Sequence, residues 1–375
     1  MLILAAILAI ATPTGPGAAE PHVTTLRNGT VAMSWVEPGK GKNHALKFAT
    51  LAGGKWSAPR VIVERADLLA SWADFPMIVE DAKGTLFAQW LQTTPAGARD
   101  VYVSATPDGG KTWRAPRLIN RDGKPVEHGF VSMLARPEGG VTVAWLDGRE
   151  TSEGHGHHHA GTTQLRSVEL DAALNASGET VVDARVCDCC GTSMARTTRG
   201  AALVYRDRLE KEVRDISIVT QAAGKWSAPA RVHADDWTIE GCPVNGPQID
   251  ARGKDAAVAW FTLAHDQPRV NVAFSHDGGA TWSNATRIDT SKSFGHVDVL
   301  LLNDDSALVT WIESAGIFAR RVRSDGHADA PVRLSDANEA RRVGFPRMTL
   351  AGKTAFFAWT DTAAKTVRVA QIAVP

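Results

Sequence analysis

The chain has 375 residues, with 41 basic and 41 acidic side chains. A balanced charge supplies no net field for holding nucleic acid or an anionic membrane surface, so neither is expected as a partner. Twelve Trp, 33 Gly and 18 Pro, with few long polar helical stretches, suit many short strands joined by tight turns and point to an all-β class.

In chain order, the first segment is an apolar run from Met1 to Ala11, too short to cross a bilayer, followed by a Pro/Gly-rich stretch ending at Gly17, Ala18 and Ala19. Residues 1–20 read as a signal peptide without a basic leading segment, which places the mature protein in the periplasm or outside the cell. No second apolar stretch approaches membrane length, so no membrane span is expected.

From residue 21 onward one pattern recurs. An apolar strand ending in an aromatic residue appears as Val31-Ala-Met-Ser-Trp35, Leu86-Phe-Ala-Gln-Trp90, Val141-Thr-Val-Ala-Trp145, Ala202-Leu-Val-Tyr205, Ala257-Val-Ala-Trp260, Leu308-Val-Thr-Trp311 and Phe356-Phe-Ala-Trp359. The copies cover residues 21–65, 70–120, 127–185, 186–234, 241–290, 295–336 and 342–375. Each parses into four strands, A to D from the centre outward. In the second copy these are Asp74 to Ile78, Leu86 to Trp90, Val101 to Ser104 and Trp113 to Ile119. Units of four short antiparallel strands at a period of about fifty residues are the signature of β-propeller blades. The expectation is one seven-bladed propeller over residues 21–375, with a six-bladed ring plus an irregular unit as the alternative. The last copy stops after its third strand, Val367 to Ile372, so its D strand is either absent or supplied from near the N-terminus.

Two C-to-D turns carry a sharper motif. Ser275, Asp277, Gly279, Thr281 and Trp282 fit the Asp-box S-x-D-x-G-x-T-W in full; Thr106, Asp108, Gly110, Thr112 and Trp113 fit it with Thr for Ser. A short Asp side chain accepts backbone N–H bonds in a tight turn, glycine admits positive φ, and Trp anchors the turn on the sheet, so the box is a structural clasp. These motifs and the repeat resemble the sialidase-like superfamily of Asp-box (BNR) propellers. The runs Val186 to Cys190, Tyr205 to Arg208 and Gly241 to Gly246 are similar to bacterial proteins commonly labelled exo-α-sialidases. The resemblance implies an arginine triad for the substrate carboxylate, a Tyr nucleophile paired with Glu, and an Asp acid/base. The chain departs from that pattern. It lacks the N-terminal Arg-Ile-Pro motif, and its only tyrosines are Tyr102, on a C strand, and Tyr205, at the packing position that Trp fills in the other copies.

A meandering blade puts the D-to-A and B-to-C connections on one face and the Asp-box turns on the other, so chemistry is sought opposite the boxes. Candidate acid/base residues there are Asp74, Asp147 and Asp207. Candidate ligand-binding residues are Arg149, Arg206, Arg208 and Arg347, which suit a carboxylate or sulfate, with His128, Asn245 and His296. An acid two places after the strand-end aromatic recurs as Glu37, Asp147, Asp207, Glu313 and Asp361, a repetition that equally fits a strand-end structural device.

All four cysteines, Cys187, Cys189, Cys190 and Cys242, fall at starts of inner strands in adjacent copies. In an exported protein an even count reads as two disulfides of open connectivity. The competing reading is a Cu or Zn site, in which the cysteines are joined by His155, His157, His158 and His159 of the third copy's B-to-C loop. Three functional expectations follow: an exported propeller that binds a ligand, with Cu or Zn on this face; a sialidase-like hydrolase or lyase acting on acidic glycans; and an interaction platform for a protein partner.

Overall fold

A computed structural model describes residues 7–151, 161–336 and 343–375. Among them are seven antiparallel sheets. The first blade comprises β2 (Ala19–Thr25), β3 (Val31–Pro38), β4 (His44–Ala52), β5 (Lys55–Trp56) and β6 (Arg60–Arg65). The second runs β7 (Met77–Glu80), β8 (Leu86–Thr93), β9 (Arg99–Thr106) and β10 (Arg117–Leu118). The third is β11 (His128–Ala135), β12 (Val141–Asp147), β13 (Thr163–Leu170) and β14 (Ala176–Val186). The fourth is β15 (Ser193–Thr197), β16 (Gly200–Arg206), β17 (Ile216–Ala222), β18 (Lys225–Trp226) and β19 (Ala230–His233). The fifth is β20 (Gln248–Arg252), β21 (Asp255–Thr262), β22 (Arg269–Ser275) and β23 (Thr286–Arg287). The sixth is β24 (Ser293–Leu301), β25 (Ser306–Glu313), β26 (Gly316–Arg323) and β27 (Val332–Ser335).

The seventh blade settles how the ring closes. Its inner three strands are β28 (Arg347–Ala351), β29 (Thr354–Asp361) and β30 (Thr366–Ala373), and the outermost is β1 (Leu8–Ile10), antiparallel to β30 with Ala9 opposite Ala370. Thr12 and Gly17 extend the connection by donating to the carbonyls of Val367 and Lys365. Of the two sequence alternatives, the D strand is therefore supplied from near the N-terminus. A strand in the ring and a removed leader are exclusive uses of this segment.

The repeat in the sequence is a repeat in packing. Each second strand is sandwiched between neighbouring sheets, and Trp35, Trp145, Trp260 and Trp311 have no solvent contact. One apolar cluster fills each of the seven joins between blades. Such stacking explains why no blade could bury its faces alone. The strand-end acids are tied to the same aromatics. Residues i and i+2 share a face of a strand, so Trp35, Trp145 and Trp311 donate their indole N–H groups to Glu37, Asp147 and Glu313 at 2.6, 2.7 and 2.8 Å. For these three the structural reading of the repeated acid holds.

Both Asp-boxes form the same clasp. Asp277 accepts the N–H groups of Ala280 and Thr281, both at 2.9 Å, and the Thr281 hydroxyl at 2.6 Å, while Gly279 N–H donates to Ser275 Oγ at 2.9 Å. Asp108 repeats this with Lys111, Thr112 and Thr106. Gly110, at φ +83°, sits so close to Phe48 that a Cβ would lie 2.2 Å from the ring.

Candidate functional site

Inner strands of three blades begin directly after a proline, Pro76, Pro247 and Pro346, and in the first blade Pro21 lies where β2 shifts register between Ala19 and His22. Proline lacks a donor and is tolerated at a strand's first residue or edge. The residues that follow, His22, Met77, Gln248 and Arg347, all line an axial cavity of about 340 Å³. Asp74, Phe75, Phe130, Asp298 and Phe345 complete its mouth on the face opposite the Asp-boxes. Glu20 and Trp72 lie just above, against Phe75 and Phe345.

A repeated backbone device shapes this mouth. In blades 1, 3 and 6 the inner strand bulges, between Ala19 and His22, Gly129 and Ser132, and Gly295 and Asp298. The bulges hold Glu20, Phe130 and His296 at φ of 58°, 51° and 55°, a conformation uncommon for non-glycine residues. The preceding blade supplies the acceptor for each strained N–H: Thr360 Oγ1 for Glu20 at 3.1 Å, Asp74 Oδ2 for Phe130 at 2.6 Å, and Asn245 Oδ1 for His296 at 2.8 Å. Gly129 and Gly295 permit the approach, because a Cβ there would lie 2.1 Å from Asp74 Oδ2 and 2.2 Å from Asn245 Oδ1.

At the centre, the Arg347 guanidinium stacks over Phe75 at 4.5 Å and Phe345 at 5.4 Å, with Asp298 Oδ1 at 3.8 Å. Its Nε has no hydrogen-bond partner, nor has Nδ1 of His22 or Oε2 of Glu20. Trp72, His296 and Phe345 form a stack with centroids 5.6 and 4.3 Å apart, and His296 Nδ1 lies 2.6 Å from the Gly344 carbonyl. Burial dominates the titration of this group. It raises Glu20 to about 8, aided by Asp74; it raises Asp74 to about 7 against the Phe130 N–H; and it raises Asp298 to about 6 against Arg347. Burial, with Arg347 adding repulsion, lowers His22 to about 3. Near neutral pH the mouth therefore holds a cation, a neutral imidazole and carboxyls poised between their two states.

Of the residues singled out in the sequence, Asp74, Arg347, Asn245 and His296 meet here. Others do not. Arg149 is paired bidentately with Asp147 at 2.7 Å and reaches Glu179 at 3.3 Å. Against the opposing effect of burial, Arg149 keeps the Asp147 carboxyl below its usual range. Arg206 is buried in the wall, donating to the carbonyls of Asn245, Arg214 and Phe261 beneath Trp237. Arg208 pairs with Glu212 at 3.0 Å. Asp207, raised by burial to about 6, accepts the Ser217 hydroxyl in the fourth blade rather than facing the cavity. His128 is enclosed between the Arg99 carbonyl, Asn120 and Asp122. Tyr205 is buried and donates to Asp183 at 2.6 Å, so it is a packing residue of its blade. Glu20 and His22 escaped the sequence reading. The signal was there: Pro21-His22 occupies the same register as Pro346-Arg347, but Glu20 closes the stretch read as a leader.

The cysteines converge at the join of blades 4 and 5. Cys189 and Cys242 form a disulfide, with Cα atoms 5.9 Å apart. Cys187 and Cys190 remain buried free thiols, so one disulfide forms where two were expected. Hydrogen bonding with Cys190 lowers Cys187 to about 7, and burial raises Cys190. His155, His157, His158 and His159 lie outside the described residues.

No protein family matches the sequence, and no curated protein is similar to it. Solved structures do match in fold. A Dyadobacter fermentans protein of unknown function aligns with TM-score 0.55 and 14% identity, over 100% of this chain and 99% of that one. An α-L-arabinofuranosidase of Fusarium graminearum, in complex with arabinobiose, gives 0.51 and 12% over 98% and 97%. An ulvan lyase gives 0.52 and 11% over 82% and 79%. Sialidases are also among the matches. The likeness shows a shared β-propeller fold.

Proposed function

We propose that the protein is an exported propeller whose channel mouth binds the carboxylate of an acidic glycan. The observation that carries this reading is Arg347, which lines the axial cavity with its guanidinium against the rings of Phe75 and Phe345 and its Nε unpartnered. A carboxylate laid against it would receive the charge-assisted bonds that Asp298, at 3.8 Å, does not make. The Trp72, His296 and Phe345 stack offers a flat apolar wall for a sugar face. The fold neighbours named as an arabinofuranosidase and an ulvan lyase support a glycan as the ligand class. Export is supported by a disulfide, a bond that persists in oxidising compartments. No helix among the described residues is long and apolar enough to cross a membrane.

A second reading, turnover rather than binding alone, is favoured by Asp74. Its pKa of about 7 suits a general acid at neutral pH. The test is calorimetric titration with sialyllactose and with oligogalacturonate, alongside a fluorogenic sialoside assay and an ultraviolet assay for unsaturated products. Binding lost in Arg347→Met supports the carboxylate site; binding unchanged in that variant removes it. Turnover lost in Asp74→Asn with binding retained would establish the enzyme reading.

A further inference from the structure

Three cysteines precede β15, and the fourth lies in the loop before β20, so four sulfurs meet where two blades join at the channel mouth. Two of them are consumed in the Cys189–Cys242 disulfide. The remaining pair, Cys187 and Cys190, have sulfurs 3.4 Å apart with no solvent reaching the first and almost none the second. Phe130 and Val244 pack against them. Two uncharged thiols need nothing more from such a pocket.

The surroundings are those of an anion instead. Arg206 and Arg214 are both buried beside the pair. Arg214 donates through Nη2 to Glu212 at 2.6 Å, but its Nε and Nη1 are buried without hydrogen-bond partners, the nearest carboxylate being Asp188 at 3.9 Å. A buried guanidinium with two unmatched N–H groups is costly unless a negative charge lies against it. Cys190 Sγ in turn accepts the N–H of Asn245 at 3.4 Å. The pocket is therefore built to hold two sulfurs carrying a net negative charge.

We infer that Cys187 and Cys190 form a buried site for one copper(I) ion, held as a two-thiolate complex beside the intact Cys189–Cys242 disulfide. Metal binding requires the thiolate form, so two protons leave as one monovalent cation enters. The complex carries one net negative charge, which Arg214 meets. Soft thiolates select copper(I). Zinc(II) in a structural site takes four ligands, and the disulfide leaves two sulfurs free. The proposal narrows the Cu or Zn expectation to one ion and two ligands. It is independent of the glycan reading, since it concerns neither Arg347 nor the cavity.

The test uses the full chain purified without reductant, titrated anaerobically with copper(I) buffered by a chromophoric chelator. The expected result is two reactive thiols per unfolded chain and one copper taken from the chelator. That uptake should produce a thiolate-to-copper ultraviolet band and two sulfur neighbours by X-ray absorption. Cys187→Ser and Cys190→Ser should each abolish uptake, with circular dichroism confirming the fold. Arg214→Gln should keep the stoichiometry and weaken affinity about tenfold, as loss of an outer-shell partner does. Replacing residues 153–159 by a Gly/Ser loop should change nothing at this site, which separates it from adventitious binding by the histidine tract. A count of zero thiols would mean a second disulfide and would overturn the proposal. So would copper uptake that persists in the serine variants, or zinc bound at one equivalent without reductant.

Discussion

The two faces of the ring end the same strands in opposite ways. At the Asp-box turns, the Asp, Ser and Thr groups satisfy one another and the backbone within a few residues. At the channel mouth, three non-glycine residues are held at positive φ by side chains from neighbouring blades, and polar atoms of Glu20, His22 and Arg347 lack partners. Satisfied local bonding is what a fold uses for stability. Strain and spare hydrogen-bonding capacity persist only where surrounding structure enforces them, and they cluster where ligands are held. The contrast supports the proposal that ligand recognition lies at the channel mouth.

The contrast breaks most severely if Arg347 is neutralised. Arg347→Met is expected to weaken binding of an acidic oligosaccharide by about 100-fold or more, the scale of a lost buried charge contact. Arg149→Ala and Arg208→Ala, whose guanidinium groups are already paired, should change it less than about twofold. The opposite face gives the complementary result. Gly110→Ala drives a Cβ into Phe48 from a left-handed backbone and should cost about 2 kcal/mol in denaturant unfolding. Asp277→Ala, which removes one clasp, should cost about 1 kcal/mol. Neither should alter ligand affinity; a change in affinity with either would dissolve the division between faces.

Smaller but more specific is the pH dependence of binding. Glu20 and Asp74 are raised from 4.5 and 3.8 to about 8 and about 7, so below neutrality both are protonated and Arg347 faces mainly Asp298. As pH rises through about 7 and then about 8, two negative charges appear at the mouth of the cavity that Arg347 lines. Affinity for a carboxylated sugar should fall by about tenfold between about pH 6 and pH 9. The double variant Glu20→Gln, Asp74→Asn should flatten the profile. The sign carries over to stability. Groups whose folded pKa is raised contribute stability that is complete below their unfolded values and lost as pH rises through about 7 and 8. His22 opposes them: neutral in the fold down to about 3, it costs stability as pH falls below 6.5.

The blades, the boxes and the two faces of the ring were legible in the sequence because each follows from a local pattern repeated at a fixed period. Individual site residues were legible only where their position in the repeat was known. Arg347 opens an inner strand and Asp74 shortly precedes one, and both line the cavity. Arg149, Arg206 and Arg208 stood at strand ends, and which of them pairs with an acid or a carbonyl depends on side chains such as Glu179, Glu212 and Phe261, remote or unremarkable in sequence. The cysteines converged as their alignment suggested, yet pairing Cys189 with Cys242 and leaving Cys187 with Cys190 is decided by three-dimensional contact between two blades. Glu20 and His22 were hidden by the composition of their own segment, which is apolar enough to read as a leader while its end supplies an inner strand.

That segment supplies the smallest predicted effect. β1 contributes three residues to the seventh blade, and Leu8 remains 56% exposed, so the strand caps an edge more than it fills a core. Deleting residues 1–11 removes the pairing with Val369, Ala370 and Gln371 while leaving Thr12, Gly17 and the inner strand in place. Unfolding stability should fall by about 1 kcal/mol, and acidic-glycan affinity should stay within about twofold of the full chain. A truncation back to residue 21 is different in kind. It removes Glu20 along with the edge strand, so it should lose stability and also flatten part of the pH profile of binding. If the two truncations behave alike in binding, Glu20 is not part of the recognition face, and the mouth must be redrawn around Arg347, His22 and Asp74 alone.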